Sequence, residues 1–305
     1  MKLGVSLEEA QSLIRKRCHP LPVEDVSILE AVGRICGSDI NADTDLPVGP
    51  QSAVDGYAVR DSGDHDTGIY TLQDSYLLGE YPLVGLKPGH ACRVTTGGDL
   101  PPGTTAVFPQ ERTTIKDGRL VAQEMYKAGN NIKSAGEDFE AGERLVKQGT
   151  RLTPGAISLL AAFGHSQIPV FSQPRVALAS ISRNIIPWHM QPEPGQTRDC
   201  NVPLLTAMVV QNGSRVTASG IFSETDSPAP NVFSALLAKA DVLIMIGGTF
   251  AVTGHEAPLL MERMGAELLY WDVPVQPGSH TGAAVLGSKL LFALSGNPAA
   301  CAVGF

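Results

Sequence analysis

The sequence predicts a multidomain α/β protein, in which a small all-β domain is inserted into an N-terminal domain and is followed by a doubly wound, mainly parallel α/β domain. Between residues 52 and 124, short β-type runs alternate with turn residues, and no helical periodicity of useful length occurs. From residue 175 onward, continuous apolar strands alternate with amphipathic helices, as in a parallel sheet covered on both faces. A chain of 305 residues is long enough for two or three such domains.

These changes of pattern predict three domains. A discontinuous N-terminal linker domain takes residues 1–50 and 125–173, the inserted β domain takes 51–124, and the α/β domain takes 174–305. Prolines and glycines concentrate near the boundaries, where they favour turns and extended connections.

The linker domain contains three helix-start signals. Ser6, with Glu9 three residues later, forms a capping box that begins a first helix. A second box at 27–30 predicts another short helix that ends near Gly33. Thr153 is suited to cap a third helix, because Pro154 follows it at the first helical position.

The inserted domain is predicted to be built from short strands. The β-type runs lie at 57–60, 70–78, 91–95, 106–109, 113–116 and 119–123. Asp117 and Gly118 separate the last two runs, and this pair favours a two-residue hairpin because both central positions need positive φ.

The α/β domain is predicted to have strands at 176–180, 216–221, 242–246, 268–271 and 290–294, with helices at 201–210, 232–240 and 258–264. Ligands of such sheets bind beyond the carboxyl ends of the strands. The loops that matter are therefore 181–201, 247–255 and 295–298. Gly247 and Gly248 allow a ligand to approach the backbone closely, and Gly296 with Asn297 is suited to an anion-binding turn.

Composition excludes several classes of protein. The net charge of −8 offers no basic surface for nucleic acid or for an anionic membrane, and no apolar run approaches the roughly 18 residues of a membrane span. The absence of a signal peptide pattern predicts a soluble, cytoplasmic protein. The five cysteines include no Cys-x-x-Cys pair, and no P-loop, G-x-G-x-x-G or nucleophile elbow occurs.

Two short stretches of the β domain have both a structural and a functional interpretation. In SAVDGYAVR at 52–60, Asp55 precedes a glycine, and turn chemistry alone favours a plain turn. In the TTGG run at 95–98, hydroxyl and backbone donors are suited to an anion, but a plain turn is favoured here as well.

Five motifs in register nevertheless resemble the molybdopterin molybdenumtransferase family, the MoeA type that is related to the gephyrin E domain. SAVDGYAVR is similar to the family's SAMDGYAVR. The other matching segments are TTGGDLPPGTTAVFPQE at 95–111, NIKSAGEDFEAGERLV at 131–146, PGQTRDCN at 194–201, and LSGNPAACAV at 294–303. The resemblance runs through essentially the whole chain, and it implies that the family's small C-terminal β domain is absent from this sequence.

The resemblance implies a function and a site. The family inserts molybdate into adenylated molybdopterin and releases AMP, uses Mg²⁺ as a cofactor, and forms a homodimer in which the β domain of one protomer faces the α/β domain of the other. By resemblance, the catalytic residues are Asp55, Thr96 and Asp138. The substrate-binding residues are Lys133, Arg198, Asn201, Gly247, Gly248, Gly296 and Asn297; no residue is assigned as a metal ligand.

Several positions depart from the family pattern where a metal-and-phosphate reaction uses charge. Carboxylates are replaced by Arg183, Asn184, Thr253 and His255; lysines are lost from the run QPGSH at 276–280; a serine is replaced by Ala300. The alternative function is therefore a catalytically degenerate paralogue that binds a pterin or a protein. A molybdopterin adenylyltransferase is a third possibility, but such an enzyme does not need the inserted β domain.

Overall fold

The computed structural model describes residues 2–61, 68–73, 82–124, 127–222, 230–249 and 256–305. The chain divides into two compact units. The α/β unit comprises Met1–Gly37 and Ile168–Phe305, and the β unit comprises Ser38–Gln167. This division is coarser than the three predicted domains, whose boundaries stay a prediction.

The helices are α1 (Leu7–Arg15), α2 (Pro154–Ala162), α3 (Asn201–Gln211), α4 (Pro230–Ala238), α5 (Glu256–Arg263) and α6 (Pro298–Gly304). The strands are β1 (Lys2–Leu3), β2 (Val23–Ser27), β3 (Ile40–Asn41), β4 (Gln51–Ser52), β5 (Gly56–Arg60), β6 (Ile69–Leu72), β7 (His90–Val94), β8 (Ala106–Pro109), β9 (Thr113–Lys116), β10 (Arg119–Ala122), β11 (Ile132–Lys133), β12 (Arg144–Val146), β13 (Gln167–Phe171), β14 (Arg175–Ile181), β15 (Ile185–Ile186), β16 (Thr197–Arg198), β17 (Arg215–Phe222), β18 (Val242–Gly247), β19 (Glu267–Trp271), β20 (Gly282–Leu286) and β21 (Lys289–Leu294). Across the described residues, no helix combines the length and the apolar character that a membrane span needs.

The α/β unit is built on a seven-stranded sheet with the order β1-β19-β20-β21-β18-β14-β17. Strands β17, β14, β18 and β21 are parallel, whereas β20 is antiparallel to both of its neighbours. Helices cover both faces of this sheet. Alternate residues of β14 point to opposite faces, so they pack against different helices. Ala177 packs in a core with Phe233 of α4, and Leu178 packs in another with Leu205 of α3. The strands and helices predicted for residues 174–305 are present; β15, β16 and β20 are additional there, and β1 adds a further strand to the sheet.

The β unit contains a six-stranded sheet with the order β8-β5-β7-β6-β10-β9. The β9–β10 hairpin is confirmed, since Asp117 and Gly118 have φ of 48° and 74°. Gly56 begins β5 where a Cβ atom would lie 2.0 Å from the carbonyl oxygen of Phe108. Only a glycine permits this approach of β5 to β8. The strand predicted at 70–78 is described as Ile69–Leu72, and most of its second half lies outside the described residues.

The predicted helix starts have different outcomes. Ser6 caps α1 by accepting from the backbone N–H of Glu9, and Thr153 caps α2 in the same way. The predicted short helix after Ser27 is present only as a 3₁₀ helix at Ile28–Glu30, which ends before Gly33. Ser27 is the last residue of β2, which pairs with β13, and its hydroxyl accepts from the backbone N–H of Leu29 instead of completing the box.

Candidate functional site

Asp55 of the β unit lies in the bend between β4 and β5 and accepts hydrogen bonds from Thr96. One carboxylate oxygen, Oδ1, accepts from the backbone N–H of Thr96 at 2.7 Å and from its hydroxyl at 3.0 Å. These backbone and hydroxyl hydrogen bonds, helped by the charge of Arg93, lower the pKa of the Asp55 carboxyl below its usual value. Asp55 is therefore ionised at neutral pH, and it ties its own bend to the turn after β7.

The TTGG run forms a turn whose backbone donors are used within the protein. The N–H of Thr96 donates to Asp55, the N–H of Gly97 to the carbonyl of Ser52, and the N–H of Gly98 to the carbonyl of Thr95. An anion would have to compete with all three bonds. The geometry thus favours the plain turn over a backbone anion site.

A second pair of predicted site residues, Lys133 and Asp138, lies beside β4. Lys133 of β11 pairs in backbone register with Gln51 of β4, and its ammonium group lies 2.5 Å from a carboxylate oxygen of Asp138. The backbone of β4 also bonds to Gly97 and Gly98. The structure therefore brings Asp55 together with Thr96, and Lys133 together with Asp138. The bend that carries Asp55 follows β4, and the turn of Thr96 and the strand of Lys133 are hydrogen-bonded to β4.

In the α/β unit, three predicted glycines lie where parallel strands end. Gly247 ends β18 with φ of 86°, and a Cβ atom there would lie 2.5 Å from the carbonyl oxygen of Ile181 on β14. Gly248 also has positive φ, at 62°. An ideal Cβ on Gly296 would lie 3.6 Å from the Cα of Gly247, so the turns after β18 and β21 approach each other closely.

Asn201 and Asp199 fix the start of α3 beside these turns. The Asn201 amide donates to the carbonyl of Gly296 at 2.7 Å, whereas its own Oδ1 is buried and has no partner among the described residues. Asp199, which was not predicted as a site residue, is 2% exposed. It accepts from the hydroxyl of Ser180 at 2.6 Å and from the backbone N–H groups of Asn201 and Val202. The sequence signal that could have identified Asp199 is its position two residues before the first residue of a predicted helix, where a carboxylate can cap the helix.

Two other predicted residues make local bonds. Arg198 donates to the carbonyl of Met190 and to the side chain of Gln191, both at 2.9 Å, so it holds its own loop. Asn297 caps α6, because its side-chain oxygen accepts from the backbone N–H groups of the second and third helical residues.

Among the described positions that depart from the family pattern, Arg183 and Asn184 follow β14, and the run that contains His280 lies at the same edge of the sheet. Asn184 accepts from the hydroxyl of Ser182 at 2.7 Å, and Arg183 is exposed. His280 Nδ1 lies 3.0 Å from the carboxylate of Asp272, which follows β19 directly. Thr253 and His255 lie outside the described residues.

The donor set of the described residues does not fit a Mg²⁺ ion. In the described ranges, no group of three or more His, Cys, Asp or Glu side chains is placed to bind a metal. Both oxygens of Asp199 accept protein hydrogen bonds, and Oδ1 of Asp55 is bound by Thr96. Mg²⁺ prefers several free oxygen ligands in near-octahedral geometry. These carboxylates therefore do not form a Mg²⁺ site.

An apolar cavity of about 550 Å³ lies in the α/β unit, lined by α1, α3 and the sheet. Its lining includes Leu7, Ile14, Val209, Ile244 and Phe292, and it contains no ionisable side chain except Tyr270. Burial raises the pKa of the Tyr270 hydroxyl to about 12. Without a cation, this cavity does not suit a phosphorylated substrate.

Comparison with known proteins gives matches in both halves of the chain. Residues 5–164 match the MoeA N-terminal region (domain I and II), and residues 177–305 match a probable molybdopterin binding domain. A molybdopterin molybdenumtransferase of Bacillus subtilis is 31% identical over 304 residues, which are 96% of this chain and 71% of that protein. A Staphylococcus epidermidis protein of the same name is 28% identical, over 99% of this chain and 73% of its own length. The crystal structure of a molybdopterin biosynthesis MoeA protein from Pyrococcus horikosii has a TM-score of 0.83 and 27% identity, covering 98% of this chain and 76% of that one.

Proposed function

This chain belongs to the molybdopterin molybdenumtransferase family, and we propose that it inserts molybdate into adenylated molybdopterin and releases AMP, as a step of molybdenum cofactor biosynthesis. The observation that carries the proposal is the hydrogen-bonded pair of Asp55 and Thr96, because Asp55 lies in the motif that most closely resembles the family's and Thr96 lies in a second matching segment. Lys133 and Asp138, on a third matching segment, support it.

Asp55 acts in this proposal by positioning Thr96. Its carboxylate is negatively charged, so direct contact with molybdate, which is also an anion, is electrostatically unfavourable. Holding the backbone and the hydroxyl of Thr96 instead fixes the turn that borders the substrate. Lys133 supplies positive charge for the substrate's phosphate, and its ion pair with Asp138 orients the ammonium group.

The glycine turns of the α/β unit are the second part of the proposal. Gly248 and Gly296 carry no side chain that would keep a ligand from the backbone, whereas the Cβ side of Gly247 is filled by the carbonyl of Ile181. Asn201 holds the carbonyl of Gly296 and so keeps the turn after β21 in place. Asp199 anchors the start of α3 to β14 through Ser180.

We further propose that the protein is a homodimer in which Asp55 of one protomer and Asn201 of the other complete one site. This rests on the family resemblance. Mixing an Asp55→Ala variant with an Asn201→Ala variant tests it, because a shared site regains activity in the heterodimer. Two inactive variants that stay inactive after subunit exchange would contradict a shared site.

The alternative is a catalytically degenerate paralogue that still binds a pterin or a partner protein. Arg183 and Asn184 favour it, because they stand where the family has carboxylates, and Gln276 and Ser279 favour it, because they stand where the family has lysines. Replacing acids and lysines together removes charge that the transfer reaction uses.

A molybdate-dependent transfer assay discriminates the two functions. Purified protein is mixed with adenylated molybdopterin, and AMP release is measured with and without molybdate. Transfer predicts release that requires molybdate, is lost in Asp55→Ala, and survives in Asp117→Asn. The control removes a carboxylate from an exposed hairpin of the same unit and keeps its positive φ, which Asn tolerates. Binding of the adenylate without AMP release would support the paralogue instead.

A further inference from the structure

The loop between β14 and α3 carries an exposed aromatic turn. The backbone N–H of Met190 donates to the carbonyl of Pro187 at 3.0 Å, which places Trp188 and His189 at the two central positions of a turn. Trp188 is 59% exposed, and its ring makes an edge-to-face contact with the ring of His189 at 5.2 Å.

The base of this loop is held by a backbone ladder. Strands β15 and β16 pair in parallel, the N–H of Thr197 donates to the carbonyl of Asn184, and the N–H of Asp199 donates to that of Ile186, each at 2.8 Å. The two ends of the loop are therefore fixed to each other and, through Asp199, to β14.

The tip of the loop is held by Arg198. Its guanidinium group donates to the carbonyl of Met190 and to the side chain of Gln191, so the charged group stabilises the turn that displays the indole. A fixed turn lowers the entropic cost of binding, since the aromatic side chain need not be ordered by the ligand.

The position of the loop indicates what the indole would meet. The loop leaves the carboxyl end of β14, at the edge of the sheet where β18 ends in Gly247 and where Gly296 follows β21. An indole presents a large flat surface that stacks on planar rings, and both the pterin and the adenine of the proposed substrate are planar heteroaromatic groups. We propose that Trp188 is a stacking platform for one of these rings. This inference rests on the proposed function.

A protein partner fits the turn less well than a ring does. Trp188 and Met190 are the large hydrophobic side chains of the described loop that are strongly exposed, and their neighbours Gln191 and Glu193 are polar. A stable protein interface takes roughly 20–30 residues on each side, with a wide apolar centre. One rigid, exposed aromatic ring beside polar groups offers a stacking face that a single planar ring can cover.

Intrinsic fluorescence provides a direct test, because the protein has two tryptophans and the other, Trp271, is 2% exposed. Wild type is titrated with AMP, with ribose 5-phosphate, and with molybdopterin, and each affinity is also measured by calorimetry. Stacking predicts quenching of the exposed indole by AMP or by molybdopterin, and none by ribose 5-phosphate. The ligand that quenches identifies the ring as adenine or pterin.

Three variants complete the test. Trp188→Ala is expected to weaken binding of the quenching ligand by roughly 5- to 150-fold, and Trp188→Phe to retain most of the affinity, since a benzene ring also stacks. Met190→Ala is the matched control: it removes an exposed apolar side chain from the same turn and should leave binding unchanged.

Unchanged affinity in Trp188→Ala would overturn the platform and leave the proposed function standing. Failure of the wild type to bind either ligand would also overturn the platform, whereas the proposed function is decided separately by molybdate-dependent AMP release from the adenylate. A change of oligomeric state in Trp188→Ala, with unchanged ligand affinity, would assign the turn to contact between copies of the chain and would also overturn the platform.

Discussion

The close approach of β18 to β14 predicts a large effect of Gly247→Ala. A Cβ atom at this position would lie 2.5 Å from the carbonyl oxygen of Ile181, about 0.9 Å nearer than an ordinary contact of 3.4 Å. The neighbour is backbone in the middle of a parallel sheet, and Ile181 is the register partner of Gly247, so it cannot turn aside. The strand ends must separate to admit the methyl group.

Two effects add in this variant. Left-handed backbone costs a residue other than glycine about 1–2 kcal/mol, and the position has φ of 86°. Forcing a methyl group into a packed site costs about 1–3 kcal/mol more. We therefore expect Gly247→Ala to destabilise the α/β unit by about 2–5 kcal/mol.

Gly213→Ala separates these effects. Gly213 also has positive φ, at 77°, but nothing lies within 4 Å of its Cβ position. Gly213→Ala should therefore lower the free energy of unfolding only by the backbone cost of positive φ. Urea unfolding followed by tryptophan fluorescence reports on the α/β unit alone, because Trp188 and Trp271 both belong to it. A Gly247→Ala variant that matched Gly213→Ala within about 0.5 kcal/mol would refute the steric argument.

Three further predictions follow from single contacts. Hydrogen bonds from Arg175 lower the pKa of the Asp241 carboxyl, so Asp241→Asn should lower the unfolding free energy by about 1–3 kcal/mol at pH 7. That deficit should shrink in urea titrations as the pH falls through the lowered pKa of Asp241, because the native carboxylate is then protonated. The pKa of Asp55 is lowered in the same direction by Thr96, so its NMR titration midpoint should lie below the usual Asp value and should rise toward that value in Thr96→Val. Lys133→Met should change the unfolding free energy by less than about 1 kcal/mol, because its ion pair is partly exposed, yet it should weaken binding of the phosphorylated substrate in calorimetry; equal affinities would contradict its role.

The fold was largely predictable because its strongest signals are local. Continuous apolar strands such as β14 and β18 are long and regular, and the Asp117–Gly118 hairpin depends on two adjacent residues. β20 was missed because its small residues, Gly282 to Ala284, give no strand pattern of their own; the strand forms between β19 and β21. At Ser27 the strand β2, which pairs with β13, runs up to the cap residue, and only a 3₁₀ helix follows the capping box.

The site was predictable in part. Asp55 and Thr96 are 41 residues apart, and only the family resemblance indicated that they belong together before the structure showed their hydrogen bonds. Asp199 was missed because its importance comes from Ser180, which lies 19 residues earlier on β14. Similarly, the TTGG sequence is suited to bind an anion through hydroxyl and backbone donors. Only the structure shows that its N–H groups already donate hydrogen bonds within the protein.

The most direct test of the account is equilibrium binding of adenylated molybdopterin to the wild type, Asp55→Ala and Asp117→Asn, measured by calorimetry. We predict that the wild type and Asp117→Asn bind with equal affinity, and that Asp55→Ala binds about tenfold more weakly or worse, because the Thr96 turn loses both hydrogen bonds to the carboxylate. No binding by the wild type, or equal binding by all three proteins, would contradict the claim that the Asp55–Thr96 pair contributes to the substrate site.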